Sequence, residues 1–263
     1  MKRAYHGLGL SLALLLGTAA GCVADPGGSG SGPDWVLSGE RAYAGRDYRT
    51  AVAELSRYVN TYPRGPEAGR ARYVRALAYA RTNARAHAYA DLSHATRDSD
   101  REVRWRASVL LGTLCFEDGR WSDAATAYGA AAREMRAAPP MDNVLWRLGQ
   151  SLERAGRWTE ARGAFERLAR EFPRSQLADG ARRRLELRPT HFAVQAGVFT
   201  QASSADRLAE QLSQKGFAAY VRREPRRGVL VNVVLVGNHH SYEAAWQQAI
   251  AVRQYVSNAV IWP

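Results

Sequence analysis

Between residues 34 and 188 the chain repeats itself. Ala51, Ala88, Ala124 and Ala161 recur at intervals of 37, 36 and 37 residues. Four positions after each stands a large side chain: Leu55, Leu92, Tyr128 and Phe165. Three positions before each stand Tyr48, Arg85, Trp121 and Trp158. Self-similarity at a fixed period of this length restricts the chain to a repeat architecture. Each unit is too small to bury its apolar face alone and does so against its neighbours.

Further positions recur upstream. Repeat four carries Leu145-x-x-Leu148-Gly149-x-x-Leu152 and closes at Pro173, and repeat three carries Leu111-Gly112-x-x-Cys115. Repeat one has Trp35, Gly39 and Pro63; repeat two keeps Ala76 and Tyr79 but has Arg85 at the aromatic position. The set resembles the tetratricopeptide repeat, at a period slightly longer than its usual 34 residues or so. The long period is similar to that of periplasmic repeat proteins of envelope assembly. The resemblance implies an all-α solenoid of four helix pairs over residues 34–188, with Ser175–Leu187 as a closing helix. It also implies a concave groove that binds an extended peptide or another envelope protein, whose identity the sequence does not give. The other reading of this array is a spacer that holds the next domain away from a membrane.

Residues 191–263 form a second, internally duplicated stretch. At an offset of 40 residues, Val194 falls on Val234, Gly197 on Gly237, Ala205 on Ala245, Ala219 on Ala259 and Val221 on Ile261. Each half reads as an alternating strand (192–197; 230–236), a helix opened by a Ser (Ser204; Ser241) and a short second strand (217–222; 258–262). The order βαββαβ predicts a small α+β domain, a four-stranded antiparallel sheet with two helices on one face.

Period two assigns Phe192, Val194, Ala219, Val221, Val234, Val236 and Ile261 to the helix side. Gln195, Tyr220, Arg222, Val233, Leu235, Val260 and Trp262 fall on the other side. Nothing within this domain covers that second face. Either it is a ligand surface or the repeat region lies over it.

Val194-Gln195-x-Gly197-x-Phe199, then Ala205-x-x-Leu208-x-x-x-Leu212-x-x-x-Gly216-Phe217-x-Ala219-x-Val221, then Val234-x-Val236-Gly237, resembles a SPOR domain. The resemblance implies binding of peptidoglycan on the open sheet face, with a preference for septal glycan strands stripped of their stem peptides. The candidate site is Gln195, Phe199, Tyr220, Arg222 and Trp262. Two positions depart from the family's pattern. Val198 stands where a small polar residue is frequent, and Val233 where an Arg or other polar residue is common.

The N-terminus reads as an export signal over residues 1–21. Met1-Lys2-Arg3 is a basic head, Gly7 to Leu16 is an apolar run too short for a resting membrane span, and Ala19-Ala20-Gly21-Cys22 follows. A Cys directly after Ala-Ala-Gly resembles a bacterial lipobox, with Ala19 in place of the more usual Leu. The resemblance implies that the mature chain starts at a lipidated Cys22, its several acyl chains giving a stable membrane anchor. Val23 rather than Asp after the Cys favours the outer membrane, with the protein facing the periplasm. Ordinary signal cleavage, leaving Cys22 a free thiol, is the other reading. Residues 22–33 are the lipidated Cys22 and a flexible Gly/Ser linker, 23–33, whose span at full stretch is about 35 Å and whose r.m.s. reach is near 20 Å.

Composition fits an exported binding protein. The net charge is +12, and all but Lys2 and Lys215 of the 37 basic residues are Arg, a surplus that favours anionic cell-wall polymers. Cys115 reads as a buried thiol, and acylation of Cys22 rules out an internal disulfide. The His residues are scattered apart from His239-His240 in a turn, too few converging ligands for a metal site. No phosphate loop and no nucleophile motif occurs, so neither an enzyme nor a cofactor is expected. RNA binding is disfavoured: Leu230–Val236 lacks the aromatic signature of an RNA-reading strand. The remaining rival is an envelope scaffold acting through its repeats alone, without glycan binding.

Overall fold

A computed structural model describes residues 34–226 and 228–263. The signal, Cys22 and the linker lie outside the described residues. Among those described, no helix is long and apolar enough to cross a membrane.

The chain divides into two compact units, one running to Val103 and the other from Arg104 to Pro263. The division falls inside a helix, not at the junction of helices and sheet near residues 188–191. The first unit holds α1 (Trp35–Ala44), α2 (Tyr48–Thr61), α3 (Ala68–Arg81), α4 (Arg85–Ala95) and the start of α5 (Arg101–Glu117). The second unit continues with α6 (Trp121–Glu134), α7 (Met141–Arg154), α8 (Trp158–Glu171) and α9 (Ala178–Leu187). The closing helix is three residues shorter than the span read from sequence.

The repeat phase holds at every position. Tyr48, Arg85, Trp121 and Trp158 are each the first residue of a helix. Ala51, Ala88, Ala124 and Ala161 are buried, as are Leu55, Leu92, Tyr128 and Phe165. The glycines explain how closely the paired helices pack. A Cβ on Gly39 would lie 2.5 Å from Leu55, one on Gly112 2.9 Å from Tyr128, and one on Gly149 2.5 Å from Phe165. Between the helices of each pair one residue takes positive φ: Arg46, Asn83, Gly119 and Gly156. Glycine and asparagine suit this left-handed turn; Arg46 bears its strain.

Four strands complete the second unit: β1 (Phe192–Phe199), β2 (Ala219–Arg226), β3 (Val229–His239) and β4 (Val260–Trp262), with α10 (Ala202–Gln214) and α11 (Tyr242–Val252) between them. The sheet is antiparallel in the order β2-β3-β1-β4. Val194, Val234 and Val236 pack against Ala205 and Leu212 of α10 and Ala249 and Val252 of α11, so both helices lie on one face. Ser241 caps α11, its hydroxyl accepting from the Ala244 N–H at 3.2 Å. Ser204 does not cap α10, which starts earlier, at Gln201. Its hydroxyl, inside the first turn, accepts from Arg207 at 3.3 Å.

Trp121 and Trp158 do more than fill the repeats. Both are half-buried, and their rings meet the C-terminal domain: Trp158 on Phe192 at 4.8 Å, and Trp121 on Tyr242 at 5.6 Å. Phe192 packs between Trp158 of α8 and Tyr242 of α11.

Candidate functional site

An irregularity of pairing in β1 sets the site. Gln195 pairs with Leu235 but Gly197 pairs with Val234, so Ala196 is an extra residue in β1. Such a bulge inverts the alternation of every residue beyond it. Phe199 therefore falls on the helix side, packed with the core of Val194 and Leu212. It does not join Gln195. Val198 turns instead to the second face, opposite Val233, and is 39% exposed there.

Gln195, Tyr220, Arg222 and Trp262 do share that second face, around Val233 and Leu235. The face is not open. Val233, Leu235 and Ala193 are fully buried and Trp262 is 2% exposed, with Leu187 at the end of α9 packed over them. Of the two readings left by the sequence, coverage holds at the centre of the face. Tyr220 and Val260 remain exposed at its rim, and Gln195 and Arg222 are half-buried.

The cover comes largely from the sheet itself. β2 runs four residues beyond the span read from sequence and forms a long hairpin with β3, turning at Gly228. Arg226 pairs with Val229 while Gln195 pairs with Leu235, six residues away along β3. In a flat sheet that is about 20 Å. Yet Arg226 donates to Gln195 Oε1 at 2.8 Å, and Trp262 Nε1 donates to Glu224 Oε1 at 3.1 Å. The sheet coils so strongly that the hairpin end folds back across its own face.

Glu224 is the electrostatic centre. Its carboxylate, 1% exposed, accepts from Arg226 at 3.2 Å, with Arg183 of α9 at 3.6 Å and Arg222 at 3.9 Å. Burial of this charge is tolerated because it is ringed by partners. Arg222 also lies 4.8 Å over the Trp262 ring and donates to the Leu187 carbonyl at 3.0 Å. Burial lifts the Tyr220 hydroxyl above its ordinary range. Burial, with Arg222 nearby, holds His191 below its own. More guanidinium than carboxylate gathers here, so the rim suits an anionic or hydroxyl-rich ligand.

Residues 188–262 match the SPOR domain model. The chain ends in a SPOR domain. Its repeats match two tetratricopeptide models, over residues 84–142 and 143–175. A SPOR domain suggests peptidoglycan binding and tetratricopeptide repeats suggest protein–protein contacts; both are typically binding modules without catalytic chemistry. No curated protein matches the chain. Solved structures similar to it include MamA AMB-1, at 18% identity over 59% of this chain and 78% of that one, with a TM-score of 0.46. MamA MSR-1 is similar at 18% identity over 59% of this chain and 83% of that one, with a TM-score of 0.44.

The SPOR match begins at Arg188, in the segment that lies against the sheet. Among the described residues no cluster of His, Cys, Asp or Glu is arranged for a metal ion. His239 instead hydrogen-bonds Gln248 of α11. The charged partners on the SPOR face that sequence reasoning missed are Glu224 and Arg226. The alternation Arg222, Glu224, Arg226 carried the signal, masked by Pro225 between them.

Proposed function

We propose that this chain is a non-catalytic, lipid-anchored envelope protein acting in cell division or wall remodelling. Its SPOR domain holds peptidoglycan glycan strands and its repeats recruit a protein partner. The observation that carries this reading is the gathering of Gln195, Tyr220 and Arg222 around one face of a SPOR-type sheet. Tyr220 offers an aromatic ring from the exposed rim to the apolar side of a sugar. Gln195 donates and accepts, matching hydroxyl and acetamide groups. Arg222 supplies a charge-assisted donor for a muramyl carboxylate, which is free only where the stem peptide has been removed.

Trp262 and Phe199 take different parts. Trp262 is the floor of the site, its indole N–H already given to Glu224. Phe199 holds the bulged end of β1 from the helix side. In this reading Cys22 carries the lipid after removal of residues 1–21, and the outer membrane is the favoured location. Sedimentation of the whole protein with peptidoglycan, before and after amidase treatment, tests the glycan reading.

The closed centre of the face favours a second reading. With Val233 and Leu235 fully buried and Arg222 bound to the Leu187 carbonyl, the chain acts as an assembly scaffold through its repeats alone. Failure to sediment with either form of peptidoglycan selects this scaffold.

A further inference from the structure

A cavity of about 170 Å³ lies where α7 and α9 meet the C-terminal domain, on the α11 side and away from the Gln195 face. Arg154, Arg184 and Arg253 line it together with one acidic side chain, Glu153. Only Arg184 is paired with that carboxylate, at 3.2 Å. Arg154 is held by the rings of Phe116, Trp121 and Tyr242 at 4.4–4.6 Å, and Glu153 attracts it only from beyond ion-pair distance. Arg253 lies over Trp246 at 5.3 Å and gives its Nε–H to the Ala259 carbonyl, again without an acid. Pro263 lines the rim without an ion pair to any of them.

Removing a cation from water is costly unless a counter-charge replaces the lost solvation, and aromatic faces compensate only in part. Three guanidinia outnumber the acid groups of the lining, so the cavity suits a further anion. One wall is aromatic, from Tyr242 and Trp246, which suits the apolar side of a sugar ring.

We propose that this cavity binds a carboxylate carried on a sugar ring. The sugar rests on the peptidoglycan reading above; the carboxylate rests on the cavity. It would give the protein a second glycan contact, one that senses removal of the stem peptide through the charge left behind.

The test is calorimetric titration of the whole protein with N-acetylmuramic acid, against N-acetylglucosamine, which lacks the carboxylate. The acid sugar should bind at least about tenfold more tightly. Arg253→Gln should weaken it about fivefold or more, and Glu153→Gln should strengthen it at pH 8 by removing the competing charge. A gain of affinity is a result that a merely damaged fold cannot give. In a Gln195→Ala background, which removes the sheet-face contribution, the preference for the acid sugar and its dependence on Arg253 should persist, so the cavity and the face stand or fall separately. Equal affinity for the two sugars, binding of neither, or indifference to Arg253→Gln overturns the proposal. Loss of all acid-sugar binding in Gln195→Ala overturns it as well, by placing the sugar on the sheet alone.

Discussion

Arg226 donates to Gln195 at 2.8 Å from a point on the hairpin six residues further along the register of β3. That bond, with the Trp262–Glu224 bond beside it, covers the centre of the second face of the sheet. Trp262 and Tyr220 therefore play different roles despite sharing a face. Trp262→Ala removes the ring packed with Val233 and Leu235 and should cost about 3–5 kcal/mol. Tyr220→Ala, at the exposed rim, should cost less than about 1 kcal/mol. Thermal unfolding of the two variants decides it; equal losses would show that Tyr220 is structural too.

In the repeats, Ala161 of α8 is 2% exposed. Ala161→Arg buries an unpaired charge and should destabilise the second unit by more than about 3 kcal/mol. Glu160→Ala, one residue away and exposed, should leave the melting curve almost unmoved. A melting curve unmoved by Ala161→Arg would show that the repeat register is wrong.

The pH dependence of stability centres on Glu153. Burial pushes its carboxyl up to about 7 from an ordinary value near 4.5, against the pull of Arg184 and Arg154. Between those values the folded state keeps a proton that the unfolded chain has lost. Stability should therefore fall as pH rises from about 4.5 to 7 and level off above, by up to about 3 kcal/mol. Glu153→Gln should flatten this fall and melt at a higher temperature than wild type at pH 8. Identical pH profiles for the two proteins would remove Glu153 from the account.

Anchoring depends on Cys22, at the end of the Ala-Ala-Gly run. Cys22→Ala should shift the protein from the membrane fraction to the soluble one, or leave the signal unprocessed. Fractionation followed by immunoblotting reads this out. A wild-type protein already soluble in the periplasm contradicts the anchor.

The repeats were legible because their constraints recur. A buried Ala facing a bulky side chain returns every 36 or 37 residues, so one misread repeat is corrected by its neighbours. The βαββαβ order was legible for the same reason, from two halves with matching positions. The site was less so, because alternation assumes an unbroken ladder. The extra residue at Ala196 exchanges the faces of Val198 and Phe199, and its one signal in the sequence is Gly197 inside the strand. The length of β2 was hidden by Pro225 and its charged neighbours, which read as a connection. The coiling that brings Arg226 to Gln195 is a property of the whole sheet, beyond any local pattern. Trp121 and Trp158 fit the repeat phase, yet their contacts with Tyr242 and Phe192 need both domains.

Glycan binding by the SPOR face is the central claim, and co-sedimentation with purified peptidoglycan tests it most directly. The whole protein is the right material, since Arg183 and Leu187 of α9 help to build the face. It should pellet with peptidoglycan, and more strongly after an amidase has removed the stem peptides. Gln195→Ala should weaken that binding about five- to 150-fold, the worth of one desolvated hydrogen bond of about 1–3 kcal/mol, with little change in melting temperature. A wild-type protein that stays in the supernatant with both forms of peptidoglycan would contradict the claim.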